Sequence, residues 1–475
     1  MSQMTTNHTA SSKTECKNQP LLFQDLGARK VMADFSGGYL SSDGGTLLLR
    51  QIDRGLGVTR QLAACFRDQR HQVFVEHSLE ELLSQRLYAL ALGYEDLNDH
   101  HQLRRDPLLA VGAGKLDPLG QQRTAEQHGC ALASPSTLNR LELGNNRKSR
   151  CHKISYDPAA IAQCVLGLAV RALPKWSRQI VLDLDATGDL VHGLQEGRHF
   201  NAYYGDYCYL PLYIVAGEVI LWAQLRRSAQ GAAEGAVGAL EQVVRAVRQR
   251  CKRARIVVRA DSGFCREDIL RWCEDQGVLY CLGFARNDKL VGMIERQRKE
   301  AAALKLHAQG SVRVYGNVCY RAKSWSRARR VVAKAEVTNE GENPRFVVTN
   351  FRVKEWAAQR LYEQVYCARG QMENVLKQAL LDMAADRTST HYMASNQLRL
   401  WLSTLAYLLL ERMRGLTLRG TELARATVGT IRLKLLKVAA VVKVSVRRVH
   451  VQLSSAWPWR HLFARCAGRL AALRL

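Results

Sequence analysis

A chain of 475 residues, 47% of them apolar, is long enough for two or three domains around a substantial core and too apolar for a disordered polymer. Its formal charge of +26 makes a polyanion the expected partner, nucleic acid before an acidic membrane surface. Thirteen cysteines, an odd number with no CxxC pair, argue against structural zinc or a disulfide framework and suit a reducing compartment.

Residues 1–34 read as a flexible tail, polar over its first twenty residues and without the apolar stretch of a secretory signal. Residues 35–175 read as a mainly helical N-terminal DNA-binding domain. Ser41-Ser-Asp-Gly-Gly-Thr46 is a turn into an apolar helix, and Ser78-Leu-Glu-Glu81 is a capping box for a helix running towards Gly93. After the Ser134-Pro135 start, a short helix carries Asn139 and Arg140. These two are candidates to enter a DNA groove, the alternative being a surface helix with a structural role.

After Trp176 the pattern turns to strands. Ile180–Asp185, Tyr207–Val215 and Val219–Leu225 are followed by a helix (Gly235–Lys252), a strand (Ile256–Asp261), a second helix (Arg266–Gln276) and a strand (Val278–Phe284). Three closely connected strands followed by alternation predict a mixed α/β sheet over 176–285. A β-strand insertion is expected at 286–355, from runs at Val312–Tyr320, Arg329–Val337 and Arg345–Thr349. Helix resumes over 356–414, and 415–475 reads as a basic C-terminal segment. From Glu411 onward 14 Lys and Arg face two acids, a net +12 in 65 residues. The run Leu400–Leu410 is about half the length needed to span a bilayer, so no membrane partner is expected.

Three acidic positions carry the chemistry. Asp183 and Asp185 lie two apart on one strand and therefore face the same side. Asp261 ends another strand, and ligands of α/β sheets collect at such carboxyl ends. Within Tyr366-Cys-Ala-Arg369-Gly-Gln-Met-Glu373-Asn374-Val-Leu-Lys377, uniform α-helical geometry puts Tyr366, Arg369, Glu373 and Lys377 within an arc of about 80°. The bland alternatives are a Glu373–Lys377 surface pair, a helix cap at Asp261 and a turn fixed by Asp183 or Asp185. If the helix packs beside the sheet, the carboxylates converge, and hard oxygen ligands select Mg²⁺, with Mn²⁺ as the substitute. Two such ions suit in-line phosphodiester chemistry.

The chain resembles the DDE transposases of bacterial insertion sequences, specifically the insertion-sequence family numbered 1380. The resemblance runs through Ser41-Ser-Asp-Gly-Gly45, Gly93-Tyr-Glu-Asp-Leu-Asn-Asp99, Leu182-Asp-Leu-Asp-Ala-Thr187, Arg259-Ala-Asp-Ser-Gly-Phe264, Asn343-Pro-Arg-Phe346 and Tyr366-x-x-Arg-Gly-x-x-Glu-Asn374. It implies an RNase H-like catalytic core with a β-rich insertion before the third acid. It implies Asp185, Asp261 and Glu373 as catalytic metal ligands, Asp185 being chosen over Asp183 because Thr187 completes an Asp-x-Thr pattern. Tyr366, Arg369 and Lys377 would contact phosphates near the cut. Relatives carry the lysine seven residues after the Glu, where this chain has Leu380.

Also implied are two Mg²⁺ ions, cleavage at the ends of a DNA element and strand transfer into target DNA. The enzyme would act as a homodimer or larger assembly on double-stranded DNA, in the bacterial cytoplasm with the nucleoid. Trp325, flanked by Lys323, Arg327, Arg329 and Arg330, is the candidate to hold a flipped base, against the alternative of a core tryptophan. Two readings of other kinds remain: a domesticated DNA-binding protein without catalysis, and a metal-dependent nuclease without strand transfer.

Overall fold

The computed structural model describes residues 20–146, 149 and 151–472; the first 19 residues of the expected tail lie outside the described residues. One mixed sheet of nine strands dominates the second half of the chain. In chain order its strands are β1 (Gln179–Ala186), β2 (Leu212–Ala216), β3 (Val219–Gln224), β4 (Arg255–Ala260), β5 (Leu279–Phe284), β6 (Val312–Tyr320), β7 (Arg329–Thr338), β8 (Gly341–Glu342) and β9 (Arg345–Thr349). Their spatial order is β3-β2-β1-β4-β5-β9-β7-β6, with β8 paired to β7. β1, β4 and β5 are parallel, and the remaining pairings are antiparallel.

The period of two sorts these strands into two faces. Ile180, Leu182 and Leu184 of β1, with Ile256 and Val258 of β4, join the large core that also holds residues of the helices Ala236–Arg250, Glu267–Asp275 and Met393–Thr417. Each such side chain, fully buried, contributes about 1.5–3 kcal/mol. Val181, Val257 and Cys281 face the other way, into a smaller cluster closed by Phe351, Leu361, Tyr362 and Val365. Asp183, Asp185, Arg259 and Gly283 belong to this second face by alternation, beside the segment that carries Tyr366. The strand pattern thus already puts the polar groups opposite the helical segment 358–382.

The N-terminal region packs helices Thr46–Leu56, Leu79–Leu92, Pro107–Ala113 and Pro158–Ala172 around Met393–Thr417. Ser78 and Glu81 form the capping box in both directions. A buried carboxylate, Glu142, ties the two halves: it accepts from Arg86 at 3.0 Å and Arg399 at 2.7 Å. Burial pushes Glu142 up, but Arg399 and Arg86 prevail and hold it below the ordinary range.

Four expectations are corrected. Residues 21–33 are a β-hairpin, Leu21–Leu26 against Arg29–Ala33, instead of a tail. The single strand read at Tyr207–Val215 divides at Pro211, which has no N–H to give a ladder. Its first part, Asp206–Tyr209, joins a small sheet with Asp189–Leu190 and His199–Asn201, and only β2 remains in the main sheet. The insertion opens with two helices, Asp288–Met293 and Glu295–Lys305, and its strands extend the main sheet through β9 on β5.

The fourth correction concerns 415–475, which is woven into the core. Val428, Ile431, Leu435, Leu436 and Leu462 are buried, and Ala440–Val444 pairs with Leu40–Ser41. Deleting it would expose that core, so phosphate binding is better tested at the exposed turn between Ala440–Val444 and Val449–Leu453. Changing Lys443, Arg447 and Arg448 to Gln should weaken DNA binding and flatten the slope of log K against log salt, by about 0.9 for each phosphate that is no longer neutralised. An unchanged slope would take this turn off the DNA path.

Candidate active site

Asp185 lies at the carboxyl end of β1, opposite Tyr213 of β2, and Asp261 immediately follows β4, the strand next to β1. Two parallel neighbours thereby deliver two carboxylates to one rim of the sheet. Asp185 accepts from Arg369 Nη2 at 2.9 Å and from Thr187 Oγ1 at 3.3 Å. Burial, foremost, pushes its carboxyl above the ordinary range; Arg369 pulls it back and the charge of Asp261 pushes it up again. The two acids therefore feel each other. Asp261 also accepts from Gly263 N at 2.9 Å, capping the short turn Ser262–Phe264, so the cap reading and a role at the rim hold together.

Asp183 is engaged elsewhere. Arg259, its register neighbour on β4, donates to both oxygens, with Nη2 to Oδ2 at 2.7 Å, and also reaches the Val365 carbonyl at 2.6 Å through Nη1. This buried clamp fixes the backbone just before Tyr366 to the sheet. Arg259 was visible in the sequence only as part of a motif, and its role depends on cross-strand pairing.

The expected uniform helix is broken. Leu361–Tyr366 is a π turn, Cys367–Arg369 a 3₁₀ turn, Gly370–Lys377 an α-helix and Gln378–Asp382 a second π turn. Such irregular turns cluster at functional positions. They also cancel the constant 100° step behind the expected common stripe. Tyr366 is half-buried, with burial raising its hydroxyl, Arg369 lowering it and Cys281 and Asp261 raising it. Its hydroxyl meets Gly283 so closely that a Cβ there would lie 2.7 Å away and 2.9 Å from Ser262 N. Only a glycine in β5 lets Tyr366 and the Asp261 turn close on that strand, a mid-strand signal that sequence reading passed over.

Glu373 and Lys377 are exposed, and the ion pair their spacing allows is not formed among the described residues. Among those residues no three His, Cys, Asp or Glu side chains stand close enough to hold a metal ion. Asp185 and Asp261 are brought together; Glu373 stays on its helix as a free carboxylate. Asn139 and Arg140 are exposed on Pro135–Glu142, whose other end holds Glu142.

Trp325 is a correction. It is 3% exposed, with Phe284 and Tyr320 rings at 4.9 and 5.9 Å and the Arg329 guanidinium 5.3 Å from its ring, so it serves the core and cannot reach DNA. Arg329 is fixed by Glu267 at 2.6 Å and Glu274 at 2.8 Å. Burial pushes Glu267 up, but its bonds from Arg329 and Ser326 bring it down to about 2. A carboxylate depressed on folding adds stability above its ordinary pKa near 4.5 and loses it as pH falls towards 2. Glu267→Gln should therefore flatten the loss of urea-unfolding stability across that window; an unaltered acid limb would reject the pairing as its source.

Two features beside the acids were not foreseen. A cleft of about 610 Å³ is lined by Ser262, Arg286, Lys334, Asn343, Arg345 and Tyr366. The motif Asn343-Pro-Arg-Phe346 was its sequence signal. On the other flank, the Tyr204 ring closes over Gly188, and Tyr204 lies near enough to Asp185 to sense its charge.

The family model described as transposase DDE domain group 1 matches residues 23–475. The chain belongs to the transposase DDE domain family. No curated protein matches the sequence. The match covers the N-terminal helices, the sheet, its extension and the C-terminal segment, so the transposase assignment spans all of these parts. Among the described residues of this transposase, no helix is long and apolar enough to cross a membrane.

Proposed function

We propose that this transposase binds the terminal inverted repeats of an insertion sequence, in the family numbered 1380, cuts DNA at those ends and joins them to target DNA. The observation that carries the reading is the pairing of Asp185 and Asp261 at neighbouring strand ends, on the sheet face covered by the segment of Tyr366, Arg369 and Glu373. An RNase H-like core is inferred from the order β3-β2-β1-β4-β5, in which only β2 runs against its neighbours β1 and β3.

The donor set fits divalent metal. Asp185, Asp261 and Glu373 are hard carboxylates, and the repulsion between the first two is what a cation relieves. Mg²⁺ held by these three, as two ions, would supply Lewis-acid activation of the attacking oxygen and stabilisation of the leaving one. The chain's own part is positioning. Arg259 anchors the backbone at Val365, Arg369 neutralises Asp185, and the cleft with Arg286, Arg345 and Tyr366 lies where the strand leaves the acids. Lys377, on the outer face of the Glu373 helix, is placed on the adjoining phosphates.

In the first step water oxygen bonds to phosphorus and the bond to O3′ breaks, leaving a 3′-hydroxyl and a 5′-phosphate. In the second, that 3′-oxygen attacks a target phosphorus and displaces the target's own O3′. Joining two ends calls for at least a homodimer on the DNA, acting at the nucleoid. The test is incubation of the full chain with DNA bearing the inverted repeats and Mg²⁺. Cuts at the repeat ends and joined products support the reading; cuts without joining favour a nuclease, and binding without cuts favours a domesticated protein.

A further inference from the structure

The hairpin Leu21–Ala33 is apolar on both faces and covered on neither. Register places Leu21 opposite Ala33 and Phe23 opposite Val31 on one face, and Leu22 opposite Met32 on the other. Every residue of both strands is exposed. Leu22 is 72% exposed, Phe23 56%, Leu26 71% and Met32 60%, and Phe35 just beyond is 88% exposed. A two-stranded hairpin is marginal alone in water, and one that is apolar on both sides is built to be enclosed.

The same chain carries an apolar receptor. A groove of about 550 Å³ lies over β3, the outermost strand at one end of the main sheet. Its walls are Ala159 and Ala162 of the helix Pro158–Ala172, Leu221 and Trp222 of β3, and Met393 and Trp401 of the long helix. The backbone of this strand beyond its middle is already satisfied by Gln397, which accepts from Leu225 N and donates to the Ala223 carbonyl. What the groove offers is therefore apolar side-chain contact.

We infer that the hairpin of one copy seats in this groove of a second copy of the chain. Area decides for a second copy. The exposed side chains of one hairpin offer on the order of 700 Å², near the roughly 800 Å² each partner gives to a stable interface. A two-fold pair makes the contact twice, because each copy gives a hairpin and a groove, and it closes without leaving either unfilled. This dimer rests on the proposed function, which calls for two copies on DNA, and names the surface by which they assemble. Its test needs no DNA, so its failure leaves the cleavage reading untouched.

The experiment is size-exclusion chromatography with light scattering on the full chain at micromolar concentration. Wild type should be a dimer. Phe23→Asp/Met32→Asp, in the hairpin, and Ala159→Arg, on an exposed helix position of the groove, should each raise the dissociation constant at least tenfold. An equimolar mixture of the two variants should recover dimers, since one hairpin and one groove remain intact. A monomeric wild type, or either variant dimerising like wild type, overturns the inference. So does a wild-type mass unaffected by the hairpin variant while its DNA binding falls, because the hairpin's partner would then be DNA.

Discussion

Asp185→Asn, Asp261→Asn and Glu373→Gln should each lower Mg²⁺-dependent cleavage of repeat-bearing DNA by about a thousandfold or more while leaving end binding intact. Loss of one metal-holding carboxylate forfeits several kcal/mol of transition-state stabilisation, and each 1.36 kcal/mol is about tenfold in rate. The folds of the variants should survive. Glu373 is exposed, an Asn at 261 can still cap Ser262–Phe264, and an Asn at 185 keeps an acceptor for Arg369. Removing negative charge beside a basic cleft should leave DNA affinity equal or tighter. Wild-type cleavage by Glu373→Gln, with both Asp variants dead, would remove Glu373 from the site and leave the third acid to be found elsewhere.

How much of this was legible in the sequence follows from how local each signal is. The aspartates at strand ends and the capping box at Ser78 rest on spacing within a few residues, and spacing is what a sequence displays. Asp183 and Asp185 share a face as alternation requires, yet alternation could not say that Arg259 on the neighbouring strand takes one and Arg369 the other. The break at Pro211 had a readable signal, the missing N–H, overridden by the long apolar run around it. The C-terminal segment misled through composition. Its charges occupy exposed positions while Val428, Ile431, Leu435 and Leu462 between them fill the core, so net charge hid the apolar pattern. Trp325 was chosen for its basic neighbours, but Arg329 is buried under it and paired with two glutamates. The stripe from Tyr366 to Lys377 assumed one helical period, and two π turns and a 3₁₀ turn vary it.

The Asp183–Arg259 clamp makes the second large prediction, because stability and activity should separate there. Asp183→Ala leaves a guanidinium in a buried site without its carboxylate. Breaking a buried pair from one side costs about 3–5 kcal/mol, chiefly through the uncompensated charge. Asp183→Leu combined with Arg259→Met removes both charges and their desolvation cost, so urea-unfolding stability should return to near wild type. Cleavage should not return with it. Arg259 also holds the Val365 carbonyl, one residue before Tyr366, and Met cannot donate that bond. The double variant should therefore fold and bind DNA but cut slowly, because the segment carrying Arg369 and Glu373 has lost its tether to the sheet. A fully active double variant would show that the clamp serves the fold alone. A single Asp183→Ala as stable as wild type would show that Arg259 finds another partner, and would unseat the clamp altogether.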